Sequence, residues 1–239
     1  LNFLAPLLGI ALGFDAINAE YNSGTLTRLV AQPIYRDSLL ISKFLAPLIV
    51  VSTLFTALVL LMIGGGLIGT GVRIEPQELL RILGFTLISI LYVAFWLSLS
   101  ILLSIRFRQP ATSALTAIGI WLFFTVFFPI LVNLAIRPFL PNPNYISEQE
   151  YLSYNELILN LLRLSPSQLY TDATTTLLMP SVRSLGPIAM EQMVGAIPSP
   201  LSFRESFLMV WPQISGLTAA MMICFAWSYF IFMRREIRN

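Results

Sequence analysis

Apolar positions along this chain are gathered into long blocks rather than spread as short stripes. Five blocks stand out, at Phe3–Ala19, Leu39 to about Ile68, Leu79–Ile105, Ala111–Ile136 and Phe207–Met233. A helix needs about 20 apolar residues to cross the hydrocarbon layer, so each block reads as a membrane span. The second is long enough to tilt or to run past the bilayer. In lipid every backbone polar group must be satisfied internally, which makes each span a helix and the expected fold all-α integral membrane. Polar breaks fall at Glu20–Ser38, Thr70–Glu78, Arg106–Pro110 and Arg137–Ser206.

The first break, opening with "EYNSGTLTRLVAQPIYR", carries an apolar stripe that a simple chain reversal does not need. Leu26, Leu29 and Val30 are spaced i, i+3, i+4 and share one helical face, with Arg28 and Gln32 away from it. Asn22 or Ser23 suits an N-cap, Gly24 loosens the approach, and Pro33 bars continuation. The spacing predicts a helix of two to three turns, too short to stand alone. It must dock, either on the membrane interface or in a groove of a cytoplasmic protein.

The last break is not a plain linker. "SEQEYLSYNELILNLLRL" opens with Ser147 and Glu150 at capping-box spacing, followed by Leu157, Leu161 and Leu164 on one face. "SPSQLYTDATTTLLMP" repeats the signal with Ser165, Pro166 and Gln168. Ser202 and Glu205 open the last span in the same way. We expect a single transmembrane domain over residues 1–239, with residues 137–206 as an extracytoplasmic helical insertion containing two short amphipathic helices packed on the outer mouth. These lie at the lipid interface or receive cargo; "MPSVRSLGPIAMEQMVGAIPSP" after them reads as irregular.

Charge sets the expected orientation. Arg28, Arg36, Lys43, Arg106, Arg108, Arg234, Arg235 and Arg238 fall on one side, whereas the short loop opposite has only Arg73 and Arg81. By the positive-inside tendency the richer side, with the C-terminus, is cytoplasmic. Leu1 then falls near the outer face, which implies an upstream span and six spans in all. Composition agrees with the class: 56% of residues are apolar and 11% charged, against about 25% charged in soluble domains. Histidine is absent and Cys224 is the one cysteine, which removes His-based catalysis, zinc sites and disulfides. A net charge of +2 gives no reason to expect a nucleic-acid partner.

Within the spans, few groups are chemically distinctive. Asp15 is a carboxylate inside an apolar block, where a charge is costly; it is close enough to the cytoplasmic end to be interfacial. Gly9 and Gly13 have GxxxG spacing, and Gly64, Gly65, Gly66 and Gly69 form a second small-residue cluster; both suit close helix packing. "WLFFTVFFP" groups Trp121, Phe123, Phe124, Phe127 and Phe128 before Pro129, which is expected to kink its helix. Phe124, Phe128 and Asn133 are candidates for a translocation path or for helix packing, as are Gly9, Gly13 and Asp15. The spans offer no paired carboxylates and no GxSxG elbow, so an intramembrane enzyme finds no support.

"EYNSGTLTRLVAQPIYRDSLLISKF" resembles the signature of ABC-type export permeases of the ABC-2 membrane family. Such chains typically read Glu, three residues, Gly-Thr-Leu, a short apolar helix, Pro, a basic or small polar residue, then Gly-Lys leading into the next span. This sequence supplies Glu20, Gly24, Thr25, Leu26, Pro33, Arg36 and Lys43, and departs at Ser42, where Gly is common. Span order, the short second cytoplasmic turn, "LSPSQLY" and the basic tail "MRREIRN" extend the resemblance along the chain. It is similar above all to the subgroup with a long outer segment before the last span, which includes permeases of nitrous-oxide-reductase maturation and of gliding motility.

The resemblance implies a six-span permease with five spans present here, and a coupling helix formed by Glu20, Gly24, Thr25, Leu26, Arg28, Leu29, Val30 and Pro33. It implies two copies of a separate ABC ATPase, which carry ATP and Mg, and a second permease copy, in a prokaryotic inner membrane. No GxxxxGK[ST] phosphate loop occurs in this chain, which fits a separate ATPase partner and also fits a non-transporter; the resemblance implies a transporter subunit with no cofactor of its own rather than an enzyme. The alternative is a membrane scaffold or mechanotransmitting subunit that acts on a periplasmic partner without translocating substrate.

Overall fold

A computed structural model describes residues 1–24, 36–71, 74–136, 148–179 and 201–234. The predicted coupling segment, with Thr25, Leu26, Arg28, Leu29, Val30 and Pro33, lies outside the described residues, as do Ser147 and the Pro/Gly-rich stretch after Met179. The described residues are helical in these elements: α1 Leu4–Gly13, α2 Asn18–Asn22, α3 Arg36–Thr70, α4 Pro76–Arg106, α5 Pro110–Leu122, a π-helical turn Phe123–Phe127, α6 Phe128–Ile136, α7 Glu148–Leu162, α8 Pro166–Leu178 and α9 Phe203–Arg234.

Among the described residues four continuous helices are long and apolar enough to cross a membrane: Asp37–Gly69, Pro76–Arg106, Pro110–Ile136 and Phe203–Arg234. They match the second to fifth predicted spans. Pro47 and Pro212 sit inside α3 and α9 without ending them. α4 is the enclosed helix of the set, with 72% of its most apolar stretch buried against 17% in each of the others. The first predicted span, Phe3–Ala19, is not one helix. It breaks after the 10 residues of α1 and resumes as the 5-residue α2.

Contacts divide the chain into two compact units, to which α4, the α5–α6 span and α9 all contribute. The first comprises Leu1–Ile74, Thr86–Trp121 and Gly216–Asn239. Here α1 lies directly on α4. A Cβ on Gly9 would come within 2.8 Å of the Val93 carbonyl oxygen and 2.9 Å of Trp96 Cβ; one on Gly13 would come within 2.9 Å of Ser100 Cβ. These two glycines therefore set the helix separation. At Gly64, Gly65, Gly66 and Gly69 an added Cβ meets nothing within 4 Å, so no described helix approaches this second glycine cluster as closely as α4 approaches Gly9 and Gly13. Ile17, Leu40, Leu97, Ile101, Ile105 and Phe232 form the apolar core of this unit. Phe44 and Phe225 pack at its edge, ring centroids 4.8 Å apart.

The second unit comprises Glu75–Phe85 and Leu122–Ser215. α8 is its centre. Tyr170, Ala173, Thr176 and Leu177 are buried, as are the polar Ser167, Asp172 and Thr174. α8 thus packs into this unit along much of its length. Two of its hydroxyls bond to the helix's own backbone: Thr171 Oγ1 donates to the Ser167 carbonyl and Thr174 Oγ1 to the Tyr170 carbonyl, each at 2.8 Å. The predicted capping box before α9 forms, with the Ser202 N–H donating to Glu205 Oε2 at 2.9 Å and the Glu205 N–H to Ser202 Oγ at 3.4 Å.

Candidate functional site

The described residues on either side of segment 25–35 are tied down, and the ties begin at the break between α1 and α2. Leaving the helix frees backbone groups that must find partners away from water. Ser104 Oγ of α4 accepts two of them, the N–H groups of Ile17 at 3.0 Å and Asn18 at 3.2 Å. Asn18 Nδ2 reaches back to the Phe14 carbonyl at 3.3 Å. Ile17, Asn18 and Ser104 are all buried. Asp15 is in this turn with its side chain exposed.

α2 then carries the polar start of the sequence motif. Glu20 forms an ion pair with Lys43 of α3, the side chains retaining 20% and 33% exposure. Asn22 Nδ2 donates to the Arg108 carbonyl at 3.0 Å, and the Arg108 guanidinium lies 5.9 Å from the centre of the Tyr21 ring. Ser23 Oγ donates to the Glu20 carbonyl at 3.2 Å. Gly24 ends α2 at φ +71°, the left-handed conformation that favours glycine after a helix. On the far side, Leu40 sits in the apolar core and Asp37 lies in the first turn of α3, where the helix dipole favours a carboxylate. The Glu20–Lys43 pair therefore joins the described residues that flank segment 25–35.

The other candidates fall apart into groups. Gly9 and Gly13 are packing residues against α4. Phe124 and Phe128 pack on each other and on Phe123, with centroid separations of 5.8, 5.4 and 6.2 Å. Asn133 is exposed, donates from Nδ2 to the Pro129 carbonyl at 2.7 Å, and lines an open groove of about 430 Å³ with Pro129, Ile130 and Leu134. No cluster of three or more acidic or cysteine side chains that would hold a metal occurs among the described residues.

Pro129 disrupts its helix by a π turn. The proline ring clashes with the carbonyl four residues back, and widening the turn relieves that clash. The Phe128 N–H bonds to the Phe123 carbonyl, five residues back. At that spacing the Phe124 carbonyl should be served by residue 129, which has no N–H. Ser165 Oγ donates to it instead, at 3.1 Å. Because a hydroxyl has one proton, Ser167 Oγ, 2.7 Å from Ser165 Oγ, is the donor in that second contact. Ser165 precedes α8 with Pro166 at the first helical position, as expected, but its hydroxyl does not cap the helix. Gln168, expected to help cap, donates to Asp172 Oδ1 at 2.7 Å, and Arg163 Nε reaches Asp172 Oδ2 at 3.3 Å.

Sequence reading missed three residues that organise these sites. Ser104 is one of three serines, with Ser98 and Ser100, in the apolar run "LSLSILLSIR"; polar side chains spaced along one span were the available signal. Ser165 was legible only as a helix start. Arg81, whose charge bears on topology, is a buried clamp. Its guanidinium donates to the Leu177 carbonyl (2.6 Å), the Leu201 carbonyl (2.6 Å) and Ser206 Oγ (3.2 Å), joining the C-terminus of α8 to the start of α9.

A family model described as ABC-2 family transporter protein matches residues 1–237. The chain is similar to a curated relative from Pseudomonas aeruginosa named as a probable ABC transporter permease protein NosY. Identity is 34% over 174 residues, covering 70% of this chain and 58% of that relative. A relative of the same name from Stutzerimonas stutzeri is 27% identical over 238 residues, covering 98% of this chain and 76% of its own length. The alignment thus spans little more than half of the first relative and about three quarters of the second. With four long apolar helices and a family match along nearly its whole length, the chain belongs to the ABC-2 family of transporter proteins, as a transmembrane permease component.

Proposed function

We propose that this permease works in an ATP-driven exporter, and that segment 25–35 is its coupling helix, docked on a separate ATPase subunit. The observation that carries this reading is the clasp at the segment's base. Glu20 is bonded to Lys43, and α2 is held to Ser104 and to the Arg108 carbonyl. A force applied to the segment therefore passes into α3 and α4 rather than being lost in a slack loop. Leu26, Leu29 and Val30 would fill an apolar cleft on the ATPase, with Arg28 at its rim. Two ATPase subunits, each binding ATP and Mg, would act on two permease copies in the inner membrane of a prokaryote. Their closure would switch the spans between inward and outward access.

A second reading has an observation of its own. α8 is buried, and Ser165 and Arg81 tie its two ends to membrane helices, which favours transmission of movement to the outer face. On that reading the outer helices act on a periplasmic partner and no substrate crosses.

The test uses the full-length permease co-purified with the ATPase encoded beside it. Leu29→Asp should leave the permease folded but abolish co-elution and reduce ATP hydrolysis at least tenfold. Unchanged binding and hydrolysis would place the stripe on the lipid interface and end the docking reading.

A further inference from the structure

The ends of α4 and α9 form a second feature that the permease reading leaves unused. An open groove of about 350 Å³ there is lined by Ile105, Arg106, Phe230, Ile231 and Arg234. Ile105 is 1% exposed and belongs to the apolar core, so one wall of the groove is firm. The Arg234 guanidinium lies 4.0 Å from the centre of the Phe230 ring, which fixes its charge beside an apolar surface. Both arginines lie in the last turn of a helix, where they offset the negative end of its dipole. That role does not require them to share a groove, and neither has an ion-pair partner among the described residues.

We propose that this groove binds the headgroup of an anionic phospholipid. Two arginines supply the planar, multiply donating cations that suit a phosphate, and basic grooves at the ends of membrane helices are suited to acidic headgroups. A free phosphate would use only the arginines. A lipid also needs an acyl path, and α9 offers one. Ile223, Trp227 and Phe230 follow at i, i+4, i+7 and are 62%, 60% and 52% exposed, making an apolar strip that leads into the groove. The lipid would brace the ends of α4 and α9. This proposal does not depend on the coupling-helix reading.

The test is native mass spectrometry of the delipidated full-length protein, titrated with dioleoyl phosphatidylglycerol or dioleoyl phosphatidylcholine. Wild type should retain phosphatidylglycerol at least fivefold better than phosphatidylcholine. Arg106→Gln with Arg234→Gln should erase that preference, while Arg204→Gln, an exposed basic residue elsewhere, should keep it. If the double variant does not fold, Phe230→Ala should still cut retention about threefold by removing the platform under Arg234. Equal retention of both lipids by wild type would overturn the proposal, as would an undiminished preference in the folded variants. Displacement of the lipid by millimolar inorganic phosphate would also overturn it, by showing a plain anion site.

Discussion

Among the described residues two apolar helices are interrupted, and each interruption is mended by one serine hydroxyl from a distant element. Between α1 and α2 the hydroxyl of Ser104 accepts two backbone N–H groups. In the π turn before α6 the hydroxyl of Ser165 donates to one backbone carbonyl. The chemistry is opposite because the causes are opposite. At Phe123–Phe127 a proline removes a donor, so an acceptor is stranded and a donor must be imported. At residues 14–17 no proline is present; the chain leaves the helix with its N–H groups intact, and an acceptor must be imported. A serine can play either part. The first repair holds the approach to the candidate coupling segment, and the second ties the start of α8 to a membrane span.

The comparison predicts unequal costs. Ser104→Ala strands two buried donors, at about 1–3 kcal/mol each, so a loss of roughly 3 kcal/mol is expected. Thermal unfolding of the purified full-length permease should show a larger fall in Tm for Ser104→Ala than for any other single substitution at either break, and a fall no greater than that of Ser165→Ala would break the comparison. Gly9→Ala comes next. Its new methyl would press on the Val93 carbonyl and Trp96 Cβ, lifting α1 from α4 and drawing the turn away from Ser104, at a cost of about 2 kcal/mol. Gly65→Ala is the control. Its Cβ meets nothing within 4 Å, and replacing glycine in a helix is worth up to about 1 kcal/mol, so it should be neutral or stabilising.

What was legible in the sequence follows from how local each cause is. Four long helices and the Ser202–Glu205 box were readable because both partners of each interaction lie within one element. Pro129 announced a disturbance in its span. Its form, a π turn rather than a kink alone, depends on Ser165, 41 positions away. The break at residues 14–17 was hidden. Its partner is 87 positions from Ile17, and the one local hint, Asp15, reads equally well as a charge near the end of a continuous span. The two glycine clusters look alike as text. They differ only in what faces them, and that is decided by which helix α4 packs against. The residues of the candidate coupling segment stay at the level of the sequence argument, whereas the clasp around them required Lys43 and Glu20 to be placed in space.

Ser165→Ala should cost about 1–2 kcal/mol, since one buried carbonyl loses its donor. The informative measurement is the double-mutant cycle with Pro129→Ala. An alanine there restores an N–H, so the Phe124 carbonyl regains a partner within its own helix and the Ser165 hydroxyl becomes dispensable. The cost of Ser165→Ala should therefore fall to a few tenths of a kcal/mol in the Pro129→Ala background. Additive costs would mean that Ser165 acts by packing at the start of α8, and the parallel between the two repairs would fail.

Of the expected losses of stability, the smallest is at the clasp. Glu20 and Lys43 retain enough solvent contact for screening to matter, and such pairs contribute about 0.2–1 kcal/mol. Glu20→Gln should therefore lower stability less than either serine variant, and the difference should vanish in high salt. Its effect on the ATPase partnership should be out of proportion to that cost. If the pair holds segment 25–35 ready to dock, opening it lengthens the loop and reduces the fraction of permease in the docking-competent form, and the apparent affinity falls with that fraction. Lys43→Gln should give the same shift, and Glu20→Lys with Lys43→Glu should recover most of the wild-type affinity. Loss of stability without loss of ATPase binding would reduce the pair to a surface contact between α2 and α3. Ser104, the stronger tie, would then be the main anchor on this side of the segment.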